Sequence, residues 1–366
     1  MRHLGEDPAV RLQVLATGMH LSPEFGNTWQ SIEADGFTIT RKVEMLLSSD
    51  TPQAIAKSTG IGMVGMADAL TDLAPDLLVV LGDRFEILAA ASAAALMRIP
   101  VAHIHGGEAT EGAIDDSLRH AITKLSHLHF TSTEAYRRRV IQMGEQPDQV
   151  FAYGAPGIDS VASLPLLSRE ALEESIDFKL GGQFLLVTFH PVTLGSAPST
   201  DEMSEFLSAL NDLPEGIKIL FTMPNADAGG RALTAQIRSF VDARPDRSAA
   251  FTSLGQLRYL SAMKHCLVIV GNSSSGIIEA PTFGVGIVNI GDRQKGRVQS
   301  DSVINCPPTR QDIANAISHA LSPEYQQAAG STVNPYGTAG ASRKIAEKIA
   351  SFPLVDLARK SFHDLP

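Results

Sequence analysis

The stretch DLLVVLGDRFEILAAASAAALMRIPVAHIHGGEATEGAIDDSLRHAITKLSHLH, from Asp76 to His129, decides the fold. An apolar run, Leu77 to Leu81, stops at Gly82-Asp83-Arg84. An alanine-rich segment follows, and a second apolar run, Val101 to Ile104, stops at His105-Gly106-Gly107-Glu108. Short apolar runs that end in polar turns and alternate with helix-forming segments build a parallel α/β sheet. Ligands of such sheets bind beyond the carboxyl ends of the strands. Both polar bursts occupy such ends. Asp83, Arg84, His105, Glu108, Asp115 and Asp116 are therefore expected to converge on one crevice.

The same alternation extends to both sides. Upstream, Leu12 to Ala16 reads as a short strand entering Thr17-Gly18-Met19-His20, and Thr51 to Leu73 as a helix with Pro52 in its first turn. Downstream, Thr133 to Met143 reads as a helix with a basic solvent face, and Gln149 to Gly154 as a strand. After a linker and helix at Pro165 to Gly182, strands are expected at Phe184 to Phe189, Ile217 to Thr222, Ala249 to Thr252, Cys266 to Val270, Gly286 to Ile290 and Ser302 to Asn305. Helices are expected at Asp201 to Leu213, Gly230 to Ala243, Leu257 to Met263 and Ser274 to Thr282. The fold class is α/β, with two Rossmann-like domains facing across a cleft. The first spans residues 1–164 and the second, nucleotide-binding, 165–340. Terminal helices over Gly340 to Ile349 and Pro353 to Ser361 (within 341–366) are expected to pack back toward the first domain.

Composition narrows the function. The chain has 366 residues, 44% of them hydrophobic, and a formal charge of −10. No long basic block is present, which argues against nucleic acid as a partner. The longest apolar stretch, Ile87 to Met97, is too short to span a bilayer, so no membrane partner is expected. Two cysteines, Cys266 and Cys306, and no signal-peptide pattern at the N-terminus place the chain in a reducing, cytoplasmic compartment. His103, His120, His127 and His129 have no compact ligand spacing, so neither metal nor other cofactor is expected.

Gly271-Asn272-Ser273-Ser274-Ser275-Gly276 follows a strand and opens a helix. Unpaired N–H groups, small residues and hydroxyls there suit a phosphate, with Gly271, Ser273, Ser274 and Gly276 as contacts. Plain N-capping by serine is the alternative. Glu279 lies one turn on, placed for a ribose diol or for ordinary solvent. The basic loop Gly291 to Arg297, with Arg293, suits a diphosphate beside it. His190-Pro191 and Asn225 end two further strands and belong either to the same cleft or to the scaffold. Asp83, Glu108 and Asp115 are the acid/base candidates, because carboxylates in a closed cleft can exchange protons. For Asp115 the alternative is helix capping.

Together these segments resemble the hydrolysing UDP-N-acetylglucosamine 2-epimerase family of sialic and legionaminic acid synthesis. The matching stretches are TGMHLSPEFGNT (17–28), GDRFE (82–86), HIHGGEATEGAIDDSLRHAITKLSHLHF (103–130), FHPVT (189–193), PNADAG (224–229) and GNSSSGIIE with NIGDRQKGR (271–279 and 289–297). The resemblance implies the glycosyltransferase-B architecture, a UDP-sugar substrate and a homodimer or homotetramer. It implies catalytic roles for Asp83, Asp115 and Glu108, with His190 assisting. It also implies substrate contacts from Arg84, His105, Asn225, Ser273, Ser274, Glu279 and Arg293. His105 stands where the animal enzymes carry a catalytic glutamate, which leaves the identity of the base open. The implied reaction is elimination of UDP from UDP-N-acetylglucosamine or UDP-N,N′-diacetylbacillosamine, then hydration of the glycal. KVEMLLSSDT (42–51) resembles the bacillosamine-type members somewhat more. A retaining glycosyltransferase of the same fold and an inactive sugar-nucleotide-binding protein are the rival readings. Members of the family begin with an apolar strand and a Gly-Thr-Arg-Ala-type loop, whereas Met1 falls inside what should be the first helix. The expectation is a start codon further upstream, the alternative being loss of a core strand and a binding arginine.

Overall fold

A computed structural model describes residues 1–195 and 197–365. The chain divides into two compact units. One comprises Met1–Ala109, Ile114–Asp159 and Tyr336–Pro366, and the other Thr110–Ala113 and Ser160–Pro335.

The first unit carries β1 (Val14–Thr17), β2 (Ile39–Val43), β3 (Leu78–Leu81), β4 (Val101–Ile104), β5 (Leu128–Thr131) and β6 (Val150–Ala152). β1 pairs in parallel with β2, and β3-β4-β5-β6 form a second parallel sheet in chain order. The Ala-rich segment is the helix Phe85–Leu96, with Ala89, Ala90, Ala91, Ala93 and Ala94 buried. Small side chains let it lie close to the long helix Pro52–Leu73, whose Thr51 caps Ala54 N–H as the Pro52 signal implies. Both helices share one core with β2, β3 and β4. Among the described residues β3 pairs with β4 alone, and its apolar residues Val79 and Leu81 are 37% and 53% exposed.

Two readings of the sequence change here. β2 has no counterpart in the expected strands, because Thr40, Arg41 and Lys42 face solvent and mask its periodicity. Pro353 to Ser361, expected as helix, is extended chain with one turn around Asp356, whose φ is 58°. Its side chains anchor individually instead. Leu357 enters an apolar cluster with Phe130 and Ile349, and the Lys360 ammonium donates to the carbonyls of Lys124 (2.7 Å) and Ser126 (2.6 Å). A lysine there supplies donors to the bare carbonyls that end the helix Asp115–Leu125.

Lys360 also meets Glu145 at 2.7 Å, joined by Lys124 (2.6 Å) and the fully buried His129 (3.0 Å). Burial alone would raise the Glu145 carboxyl, but hydrogen bonds from His129, Lys124 and Lys360 outweigh it and hold the group down to about 2. Burial pushes His129 downward, so its Nε2–H donates to Glu145 as a neutral ring.

The second unit is a six-stranded parallel sheet of β7 (Gln183–Thr188), β8 (Ile217–Thr222), β9 (Ser248–Phe251), β10 (Val268–Gly271), β11 (Gly286–Ile290) and β12 (Val303–Cys306). Its order is β12-β11-β10-β7-β8-β9. The direction of winding reverses between β7 and β10, and a crevice at the carboxyl ends of that pair is where such sheets bind ligands. Both faces are apolar and covered by helices, which explains the unbroken hydrophobic runs in Phe184–Val187 and Val268–Val270. Among the described residues, no helix is long and apolar enough to cross a membrane.

The Glu145 cluster sets an acid sensitivity with a defined sign. A carboxyl held below its unfolded value of 4.5 contributes in full above that pH and loses its contribution as pH falls toward 2. Neutral His129 adds to the loss below its unfolded value of 6.5, because only the unfolded chain then takes up the proton. Glu145→Gln is expected to cost about 2–4 kcal/mol at pH 7, by leaving two ammonium groups without their shared counter-ion. The gap to wild type should close between pH 4.5 and 2, as read by urea unfolding at each pH.

Candidate active site

In the first unit the polar turns after β3 and β4 come together around a residue that the sequence reading passed over. Arg119, on the helix Asp115–Leu125, is 1% exposed. Its guanidinium pairs with Asp83, donates to the Glu108 carbonyl at 3.0 Å and reaches Asp116 Oδ1 at 3.5 Å. A buried, permanently charged group is tolerable only when its donors are satisfied in this way. The signal was present as Asp115-Asp116-x-x-Arg119, one helical turn that sets acid and base on one side.

Asp83 is fixed from behind as well. His103, fully buried on β4, donates from Nε2 to the Gly82 carbonyl at 2.8 Å and accepts at Nδ1 from Thr123 (3.1 Å). Burial holds this ring down to about 3, so it stays neutral and acts as a strut. Glu108 is 2% exposed, and its Oε1 accepts from the Ser132 hydroxyl at 2.6 Å and meets His105 Nδ1 at 2.6 Å. Gly107 adopts φ 77°, and a Cβ there would lie 2.6 Å from the Tyr136 carbonyl, so only glycine lets the loop pass. Arg84 reaches Glu86, at 3.2 Å, rather than Asp83. Asp115 and Asp116 occupy the first turn of their helix, where its dipole favours negative charge.

In the second unit the organising residue is Asn272, fully buried between β7 and β10. Its side-chain amide accepts from His190 N–H (2.7 Å) and donates to His190 C=O (2.9 Å), copying a strand's backbone pairing. Its own carbonyl accepts from Gln294 (2.9 Å) and Arg293 (3.1 Å). One asparagine therefore ties His190, the serine loop and the basic loop together. His190 Nδ1 accepts the Asn225 backbone N–H at 3.3 Å, so the neutral ring carries its proton on Nε2. Gly271, at φ 143°, would place a Cβ 2.0 Å from the Thr188 carbonyl. Ser273 precedes the short helix Ser274–Ile278 and meets Ser275 at 3.1 Å. The Tyr259 hydroxyl, pushed by burial up to about 12, stays protonated beside Ser275. Gly276 is buried in that helix, and Glu279 follows it, half-buried.

Each unit thus gathers its own share of the expected residues. Asp83, Glu108, His105 and Asp115 lie in the first, with Arg84. His190, Asn225, Gly271, Ser273, Ser274, Gly276, Glu279 and Arg293 lie in the second. Arg119, His103, Ser132, Asn272 and Tyr259 were missed because each works through burial, which a sequence does not display.

The parallel sheets of the two units, six-stranded in one and four- and two-stranded in the other, belong to the glycosyltransferase-B class of α/β fold. The UDP-N-acetylglucosamine 2-epimerase family model matches residues 2–350, and the chain belongs to that family. It is 40% identical to a GDP/UDP-N,N′-diacetylbacillosamine 2-epimerase (hydrolyzing) of Campylobacter jejuni, over 88% of this chain and 83% of that one. It is 34% identical to a UDP-N,N′-diacetylbacillosamine 2-epimerase (hydrolyzing) of Legionella pneumophila, over 97% of this chain and 92% of that one. In fold it is similar to the crystal structure of UDP-GlcNAc 2-epimerase from Neisseria meningitidis bound to UDP-GlcNAc. The TM-score is 0.80 at 19% identity, covering 95% of this chain and 94% of that one.

Asn272→Leu keeps the volume and removes the amide. It strands the His190 N–H and C=O, and a stranded buried backbone group costs about 1–3 kcal/mol. The expected result is a lower urea midpoint together with at least tenfold weaker UDP binding by calorimetry. Unchanged binding would remove Asn272 from the site.

Proposed function

We propose that the protein hydrolyses and epimerises a UDP-2-acetamido sugar, UDP-N,N′-diacetylbacillosamine or UDP-N-acetylglucosamine, to UDP and the free sugar inverted at carbon 2. Family membership, with 40% and 34% identity to two proteins named as hydrolysing diacetylbacillosamine 2-epimerases, carries the reading. The residues gathered within each unit support it. The serine loop, Arg293 and the Nε2–H of His190 are donors suited to a diphosphate leaving group. Asp83, Asp115 and the His105–Glu108 pair supply groups that exchange protons. Asn225 and Arg84 are assigned to the sugar, and Glu279 to the ribose.

Carbon 2 of the sugar is only weakly acidic, so proton removal and departure of UDP must assist each other. As a base takes the carbon-2 proton, that C–H pair becomes the C1=C2 bond and the C1–O pair leaves with UDP. Water then bonds to carbon 1 while an acid on the other face protonates carbon 2. No redox step is involved, so the chemistry needs only positioned donors and acceptors.

Proton NMR in heavy water tests the proposal directly. UDP and a free sugar should appear together, with carbon 2 inverted and carrying one deuterium, and the faster of the two substrates names the preferred one. Release of UDP only when an acceptor sugar is added would establish a transferase instead. UDP binding with neither substrate consumed would establish a binding protein.

A further inference from the structure

His105 and His190 each follow the carboxyl end of a strand, and their partners fix opposite tautomers. His190 Nδ1 accepts a backbone N–H, so the neutral ring is a donor at Nε2. His105 Nδ1 faces a carboxylate oxygen of Glu108 at 2.6 Å, which only accepts, so the neutral ring carries its proton on Nδ1 and a lone pair on Nε2. That Nε2 has no partner among the described residues. The His105 side chain keeps 14% of its surface exposed, whereas that of Glu108 keeps 3%. Glu108 is further closed off by Ser132. Asp83 is engaged by the buried guanidinium of Arg119.

We infer that His105 is the base that takes the carbon-2 proton, and that Glu108 is a positioning residue acting through it. The inference rests on the proposed reaction and assigns its first step. His105 Nε2 takes the proton, the C–H pair forms the C1=C2 bond, and the C1–O pair departs with UDP. The imidazolium is held by the Glu108 carboxylate behind it and returns its proton to solvent before the next turnover. Protonation of carbon 2 from the opposite face belongs to a different group. A carboxylate that orients an imidazole and stabilises its charged form is how histidine bases are commonly tuned. The backbone supports the assignment. His105 adopts φ 69°, unusual for a residue with a Cβ, and its N–H is tied to the Phe130 carbonyl at 2.9 Å. Such strain persists where the surroundings hold a side chain in a required place.

That backbone also provides the clean test, because glycine accepts φ 69° without strain. In His105→Gly, UDP release from the faster substrate should fall by roughly 10²–10⁴-fold. UDP affinity should stay within twofold. Added imidazole should restore turnover, with substituted imidazoles ranked by their basicity. His105→Gln should show the same loss without rescue, and guards against a folding artefact in the glycine variant. Glu108→Gln should lower kcat more than it changes KM, since the imidazolium loses its counter-charge. Arg119 donates to the Glu108 carbonyl and Arg139 to the Gly107 carbonyl beside the pair. Wild-type rates in His105→Gly, or a loss that imidazole does not restore while UDP still binds, would overturn the inference and leave the proposed reaction standing. A wild-type protein silent on both UDP-sugars would overturn the proposed reaction itself.

Discussion

The buried guanidinium of Arg119 is the constraint on which the first unit's site depends. It reaches from the helix Asp115–Leu125 to Asp83 after β3 and to the Glu108 carbonyl after β4. A charge sealed from water must be paired, and its partners must then be paired with it. That mutual requirement fixes two strand-end turns against one helix. The polar turns are thus not loops that happen to be close. With the helix they form a single ion-pair arrangement, and His103 bracing the Gly82 carbonyl completes it.

The second unit solves a similar problem without charge. Asn272 gives both halves of its amide to the His190 backbone and its own carbonyl to Gln294 and Arg293. A neutral amide costs far less to bury than an ion, and it offers donor and acceptor in one plane. It can therefore sit where β7 and β10 part and still hold three loops. The consequence is a preset tautomer for His190, which follows from the Asn225 N–H aimed at Nδ1.

The C-terminal segment shows how the ends of the chain serve the site indirectly. Lys360 closes the carboxyl end of the same helix whose amino end carries Asp115 and Asp116, and it shares Glu145 with Lys124. Helix ends need external donors, and here a lysine some 236 positions away supplies them. The tail needs no helix of its own for that task.

Much of the architecture was legible in the chain itself. Ile217 to Thr222 and Gly286 to Ile290 were read to the residue, because strands buried on both faces are mostly apolar, with Lys218 and Asn289 as single polar interruptions. Strand ends at Gly82-Asp83, His105-Gly106 and Gly271-Asn272 were legible because glycines and polar side chains break the apolar runs there. β2 was not, since its exposed Thr, Arg and Lys carry no buried period. In the site, the sequence by itself determined which ionisable groups stand at strand ends. Only the tertiary structure decided which of them is sealed, which is tied to a buried guanidinium and which ring nitrogen is left with a lone pair. Hydrogen-bond partners far apart in sequence set those properties. Glu108 and His105 are close neighbours in the chain, yet Ser132, Phe130 and Arg119 from other elements separate a buried carboxylate from an accessible imidazole.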